Sequence, residues 1–364
     1  MYNPEKAVLI GVKTGYQKNE PLKETFIELE RLADTAGAIT AGKVSQKKDR
    51  PDPRYFIGSG KIEEIRSMIA AKEADLAIFN VSLSPSQCRN LETALGVKVV
   101  DYTELILDIF AQHAKSREGN LQVELAQSTF RLTRLTGYGV DMSRPGGGIG
   151  TRGPGETKLE HDRRRIRKKI ADLKKEIEKL RRERSLRREK RKKSNLPLIS
   201  LVGYTNSGKS TLLNTLTDAG VLVEDKLFAT VDTTTRRFNL SPGKTILFTD
   251  TVGFINNLPH QLIAAFKATL EEVSEADLLI HVVDFSNPYF EDQIGSVYRV
   301  LEELKCAAKP VITVFNKIDL VGKKASGKLI DKYAPALLIS ALKQQGLTEL
   351  KEEITKVFFP PPGR

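Results

Sequence analysis

Apolar and polar positions along the first hundred residues fall into short blocks whose period alternates between strand-like and helix-like. Ala7-Val8-Leu9-Ile10-Gly11-Val12 is a continuous apolar run that predicts a strand, and residues 21–36 carry the spacing of an amphipathic helix. Residues 38–41, 76–79 and 97–100 predict further strands, with helices over 60–74 and 85–95 between them. A βαβα order of this kind predicts a small parallel sheet covered by helices.

From about residue 104 to 195 the pattern changes to helix and loop. Leu121, Leu125, Ser128, Leu132 and Leu135 recur at alternating steps of four and three, and Ile166, Ile170, Leu173, Ile177 and Leu180 do the same. This step marks a narrow coiled-coil seam. The two stretches flank a glycine-rich connection, so an antiparallel helical hairpin is the simplest arrangement. Beyond Leu180 the seam positions become Arg184 and Arg187, where apolar pairing should stop. The connection itself, 136–157, contains eight glycines. A loop of this length reads either as a linker or as a contact surface. Its place at the tip of a basic hairpin favours contact, with Arg144 and Arg152 as phosphate-binding side chains.

Charge sharpens this picture. The chain has 364 residues and a net charge of +12, and residues 158–193 alone hold 19 Lys/Arg against 7 Asp/Glu. One segment thus accounts for the whole excess, which points to a polyanionic partner for one element. Arg163, Arg164, Arg165, Lys168 and Lys169 join Arg144 and Arg152 as candidate RNA contacts. A solvated helix face laced with i,i+4 ion pairs is the competing reading. Two cysteines, Cys88 and Cys306, lack any metal or disulfide spacing. No signal peptide, membrane-length apolar run, amphipathic anchor or lipidation signal is recognisable, so a cytoplasmic location without membrane contact is expected.

The C-terminal half carries chemistry. The apolar run Leu198–Val202 leads directly into Gly203-Tyr204-Thr205-Asn206-Ser207-Gly208-Lys209-Ser210-Thr211, a phosphate-binding loop in its required strand-to-helix context. Backbone N–H groups would surround the phosphates, Lys209 would bridge the β- and γ-phosphates, and Ser210 would ligate Mg²⁺. A second apolar strand ends in Asp250-Thr251-Val252-Gly253. There Asp250 is placed to hold Mg²⁺ and Gly253 to offer its N–H to the γ-phosphate. The threonine-rich segment 228–237 lies where a switch loop belongs, and Thr234 is the expected third metal ligand. Lys209, Thr234 and Gly253 are therefore the expected catalytic set. Asn316-Lys317-Ile318-Asp319 follows the strand at 310–315. Its Asp319 carboxylate matches the N1–H and N2–H₂ donors of guanine and would be left unpaired by adenine. Ser340-Ala341-Leu342, after a last strand at 336–339, can donate to guanine O6. Four motifs in this order predict a GTP/GDP site with Mg²⁺ as cofactor and hydrolysis to GDP and phosphate. Many GTPases place a water-orienting glutamine after such a glycine. Here it is Phe254, which predicts slow intrinsic turnover.

Several segments together resemble the HflX family, in the Obg–HflX group of translation-associated P-loop GTPases. They are Phe56–Lys61, Asp108–Ala114, Gly147–Thr157, Phe228–Thr230 and Asp250–Ile255. The resemblance covers nearly the whole chain. It implies an N-terminal α/β domain (1–114), a basic antiparallel helical hairpin (115–194) and a Ras-like P-loop GTPase domain (195–364) with a mainly parallel sheet flanked by helices. It also implies association with the large ribosomal subunit through rRNA, in splitting or rescuing stalled ribosomes under stress, with the hairpin reaching toward the peptidyl transferase region. Several members carry a C-terminal extension beyond the point where this chain ends, at 360–364.

Gly58-Ser59-Gly60-Lys61 resembles a phosphate-binding turn, and the family resemblance adds ATP as a ligand of the N-terminal domain; a purely structural helix-opening turn is the other reading. The alternative function is an RNA-binding or remodelling protein with an ATP-binding N-terminal domain and a regulatory G domain. The chain is expected to act as a monomer.

Overall fold

In the computed structural model, residues 4–15, 22–135, 154–193, 196–217, 226–256, 271–321 and 331–360 are described, with the backbone alone at 22, 154–158 and 186–193. By its contacts the chain divides into two compact units, 1–112 with 120–177, and 113–119 with 178–364.

The first unit contains the α/β layer foreseen from periodicity. Its strands are β1 (Lys6–Lys13), β2 (Ile39–Lys47), β3 (Leu76–Phe79) and β4 (Lys98–Val100), all parallel in the order β2-β1-β3-β4. The crossover helices are α1 (Leu22–Thr35), α2 (Ser59–Lys72) and α3 (Pro85–Leu95). Strand β2 runs six residues beyond the expected strand end, at Ala41. Its polar sequence hides the pattern, since as an edge strand it buries little besides Val44. Helix α3 starts where local chemistry requires: Ser84 accepts the N–H of Gln87, whose side chain accepts the N–H of Ser84, and Pro85 occupies the first turn. Ile65, Leu91, Val8 and Phe79 close the core between helices and sheet. Helix α4 (Tyr102–His113) is apolar on most sides and buries Leu105, Ile106, Ile109 and Phe110.

Helices α5 (Arg117–Leu135) and α6 (Pro154–Lys193) form the hairpin arms. Arg163 donates to the Leu135 carbonyl, Lys169 pairs with Glu124, and Arg184 pairs with Glu118. Partners that rise in number on one helix as they fall on the other mark antiparallel helices. The expected seam is only partly right. Leu173 and Ser128 are buried, but Leu121, Leu125, Leu132 and Leu135 are half-buried, while Gln122, Val123 and Ala126 are buried. Helix α5 therefore buries a second face, a consequence of packing in a layered unit. At its end Arg134 lies 3.1 Å from the buried Asp101 and 3.3 Å from Glu104. Burial raises both acids' affinity for protons, and the Arg134 charge opposes it. Past Leu180 the seam does turn ionic, as the Arg184–Glu118 pair demonstrates.

The second unit holds a six-stranded sheet in the order β10-β9-β8-β5-β7-β6. Its strands are β5 (Leu198–Val202), β6 (Thr234–Ser241), β7 (Lys244–Asp250), β8 (Leu278–Asp284), β9 (Val311–Asn316) and β10 (Ala336–Leu338). All pairs are parallel except the β6–β7 hairpin. Central β5 is buried at every position, as a strand covered on both faces must be. Helices α7 (Lys209–Thr217), α8 (Phe290–Glu303) and α9 (Leu347–Phe358) flank the sheet. No helix among the described residues is long and apolar enough to cross a membrane.

Candidate nucleotide site

Strand β5 ends at Val202, and the chain turns through 203–208 before α7 begins at Lys209. Gly208 adopts φ +93°, and a Cβ there would stand 2.3 Å from Asn316 Nδ2, so only glycine fits. Lys209 is buried and donates to the carbonyls of Gly203 (3.2 Å) and Tyr204 (2.8 Å). Burial pulls its ammonium down to about 8, against the attraction of Asp250 and with a smaller contribution from Lys317. Ser210 Oγ lies 2.5 Å from Asp250 Oδ2 and 2.8 Å from Thr230 Oγ1. Burial raises the Asp250 carboxyl, opposed first by Lys209. A cavity of about 50 Å³ opens here, with Thr205, Asn206, Gly208, Lys209, Ser210, Thr211, Thr230 and Gly253 on its walls.

Hard oxygens of Ser210, Asp250 and Thr230 converge, a donor set suited to Mg²⁺ with phosphate oxygens completing the shell. Among the described residues no three His, Cys, Asp or Glu side chains come together. Thr234, the expected third ligand, instead opens β6 in register with Asp250. The segment 228–237 was expected to be loop throughout; from Thr234 it is strand, because Phe238 and Leu240 pack on the core.

Three loops meet around Asn316 and Lys317. Asn316 Nδ2 donates to the Ser207 carbonyl (3.0 Å) and its Oδ1 accepts the N–H of Ala341 (2.9 Å). Lys317 donates to the Asn206 carbonyl (2.8 Å) and pairs with Asp284 at 2.7 Å. Asp319 Oδ1 accepts the Ser340 hydroxyl at 2.6 Å, and Leu342 is exposed. The expected guanine residues are thus in one place.

Family models match in three consecutive stretches: "GTP-binding GTPase N-terminal" over 23–111, "GTP-binding GTPase Middle Region" over 113–191, and "50S ribosome-binding GTPase" over 198–317. The GTPase HflX of Caldanaerobacter subterraneus subsp. tengcongensis is 50% identical over 355 residues, covering 98% of this chain and 81% of that protein. The chain belongs to the HflX family of GTPases. The Escherichia coli GTPase HflX is 45% identical over 318 residues, 87% of this chain and 74% of that protein. Among solved structures, the complex of SsGBP with GDP aligns with TM-score 0.52 and 26% identity, covering 97% of this chain and 98% of that one. As an HflX-family protein the chain binds GTP and GDP and hydrolyses GTP.

Several contributors to this HflX site carried no motif. Asp284, at the end of β8, orients Lys317; the apolar run 278–283 before it was the available signal. Thr205 Oγ1 accepts the N–H of Phe228 (2.8 Å), and Tyr204 turns its hydroxyl to the N–H of Asn256 (3.0 Å). Phe254 is 1% exposed, with its N–H on the Gly203 carbonyl and its own carbonyl accepting the N–H of Thr205. Of the RNA-contact candidates, Arg164, Arg165, Lys168 and Lys169 are exposed on α6, Arg163 is half-buried, and Arg144 and Arg152 lie outside the described residues, as does most of loop 136–157. In the N-terminal unit Gly58 caps α2, its N–H donating to Gln46, and Lys61 is paired with Glu64 at 2.5 Å. Those contacts explain the Gly58–Lys61 turn structurally. Cys88 and Cys306 are both free and buried.

Proposed function

We propose that this chain is a Mg²⁺-dependent GTPase of the cytoplasm that associates with the large ribosomal subunit and serves in splitting or rescuing stalled ribosomes. The observation that carries the reading is the union of two features. A G domain matching the model described as a 50S ribosome-binding GTPase follows directly on a 40-residue basic helix. Residues 1–114 form the N-terminal domain, 115–194 the hairpin and 195–364 the G domain.

In this reading the N–H groups of 203–211 cradle the phosphates, and Lys209 leaves its two carbonyls for β- and γ-phosphate oxygens. Mg²⁺, when bound, supplies electrostatic stabilisation of the charge developing on the transferred phosphoryl group. Ser210 and Asp250 hold it, with Thr234 drawn in from the start of β6 in the triphosphate state. Gly253 offers its N–H to the γ-phosphate. Asp319 reads the guanine edge, Asn316 fastens the base loop to the phosphate loop, Lys317 covers the base, and the 340–342 backbone faces O6. With the Phe254 ring buried, no side chain at that position orients water, and turnover in the isolated protein is slow.

Exposed Arg164, Arg165, Lys168 and Lys169 meet rRNA phosphates, together with Arg163 and with Arg144 and Arg152 of the glycine-rich loop. Binding by counterion release falls steeply with salt. Co-sedimentation with purified large subunits across a salt series tests this. A log–log slope of several units that shrinks when Arg165 and Lys168 become glutamine supports the reading; binding indifferent to salt contradicts it.

A further inference from the structure

The turn that opens α5 is held by a carboxylate 116 residues further along the chain. Asp232 Oδ2 accepts the N–H of Lys115 (2.8 Å) and of Ser116 (2.7 Å), and its Oδ1 accepts the Ser116 hydroxyl at 2.5 Å. Ser116 Oγ also accepts the N–H of Gly119 at 2.9 Å and so caps the helix. Capping requires Ser116 alone; the bonds to Asp232 fasten residues 115–116 to the segment that carries it. Residues 113–119 accordingly belong to the same compact unit as 178–364. The approach is close enough to favour glycine, since a Cβ on Gly119 would stand 2.1 Å from Asp232 Oδ1.

Asp232 lies between two threonines that both meet Asp250. On one side, Thr230 Oγ1 lies 2.8 Å from Ser210 Oγ and hydrogen-bonds Asp250. On the other, Thr234 pairs with Asp250 in the ladder between β6 and β7. At the start of the segment the N–H of Phe228 is donated to Thr205 Oγ1 of the phosphate loop at 2.8 Å, and Leu227, Phe228 and Val231 are buried. The chain from 228 to 234 is thus fixed at its start by the phosphate loop and at its end by the sheet. Between those ends it has no regular structure, so its course past Thr230 depends on side-chain contacts. Asp232 makes three, two of them charge-assisted bonds from backbone N–H groups.

We infer that Asp232 is a positioning residue of the nucleotide site: gripping residues 115–116, it holds 228–234 on the course that puts Thr230 beside Ser210 and Asp250. The first turn of α5 is then a working part of the site, although the whole hairpin separates it from the phosphate loop in sequence. Asp232 touches neither nucleotide nor metal; it orients groups that do, as residues behind a metal's ligands commonly do. The inference rests on the reading that Mg²⁺ and a guanine nucleotide occupy this site.

The test titrates a fluorescent, non-hydrolysable GTP analogue into the full chain with Mg²⁺, and again with EDTA in its place. Mg²⁺ should tighten binding to the native protein. In Asp232→Ala that tightening should shrink at least fivefold, while affinity in EDTA stays within threefold of native and so shows an intact fold. Asp232→Asn should keep the native tightening within twofold, because its amide oxygen can accept both N–H groups and its NH₂ can donate to Ser116 Oγ. Amide exchange of the nucleotide-free and metal-free proteins supplies a second readout. The Phe228 N–H, four residues from the substitution, should exchange at least fivefold faster in Asp232→Ala and at the native rate in Asp232→Asn. Tightening by Mg²⁺ that is unchanged in Asp232→Ala overturns the inference, as does Phe228 exchange at the native rate in that variant. Asp232→Asn as weak as Asp232→Ala also overturns it, since charge and not the grip would then matter. If Mg²⁺ fails to tighten binding to the native protein, the Mg²⁺ reading falls and the inference with it; the other three outcomes remove the inference alone.

Discussion

The side-chain amide of Asn316 joins Ser207 to Ala341, donating to the carbonyl of one and accepting from the N–H of the other. Its two hydrogen bonds fix the loop after β9 to the 203–208 turn and to the 340–342 segment. On the proposed reading of the site, this makes affinity for the base and for the phosphates interdependent.

Asn316→Ala removes both bonds and leaves the buried N–H of Ala341 and carbonyl of Ser207 unpaired. At about 1 kcal/mol for each bond, the cost is about 2 kcal/mol of loop order, which sets an upper bound of roughly 30-fold on the lost affinity. Calorimetric titration should find GDP and GTP weakened alike. A loss confined to GTP would indicate that Asn316 does not couple the two ends.

Asp319 is the residue proposed to take the two guanine donors, and its Oδ1 accepts the Ser340 hydroxyl. Asp319→Asn exchanges an acceptor for a donor. Guanine then meets donor against donor, whereas xanthine, with a carbonyl at C2, regains a partner. Competition binding should give at least a hundredfold loss for GTP and recovery with xanthosine triphosphate. Unchanged GTP affinity would remove Asp319 from base recognition.

Thr230 touches Ser210 here, and Thr234 does not. If Thr234 enters the metal shell only with triphosphate, Thr234→Ala should raise the Mg²⁺ concentration needed for half-maximal hydrolysis at least tenfold and leave GDP binding within threefold. Thr230→Ala should act less on hydrolysis. The reverse ranking would assign the ligand to Thr230.

His281, on β8, is 1% exposed, and its Nδ1 has no hydrogen-bond partner. Burial, with repulsion from Lys209, pulls its imidazole down to about 3. An unfolded histidine takes up a proton near pH 6.5, so from there to about 3 the unfolded state binds the extra proton. This contribution is complete above pH 6.5 and is lost as pH falls, by up to about 1.4 kcal/mol per pH unit. Urea unfolding at pH 7.5 and 5.5 should therefore find a smaller drop in His281→Gln than in the native protein. Parallel drops would mean that His281 titrates normally.

The sequence makes the site far more legible than the hairpin, for a physical reason. Phosphate and guanine recognition use backbone turns and a few fixed polar groups at strand ends, and those constraints survive as short motifs. Gly208 and Asn316 are readable because nothing else fits. Asp232 and Asp284 are not, because any carboxylate at the right point in space would serve and their partners lie far away in the chain. The α5 seam misled for a similar cause. A helix packed on two sides shows a blurred period, so Val123 and Ala126 are buried off the expected line. The β6 strand was obscured by its polar first half, although Phe238 and Leu240 alternate as a half-buried strand should.

Two proposed features, a buried Phe254 that leaves water unoriented and a basic arm that would engage the ribosome, are tested by one measurement. Steady-state GTP hydrolysis with and without purified large ribosomal subunits, with Lys209→Ala as control, addresses both halves at once. Turnover should be slow alone, rise at least tenfold with large subunits in a way that fades as salt rises, and vanish in the variant. Fast turnover of the isolated protein, unaltered by large subunits, would contradict it.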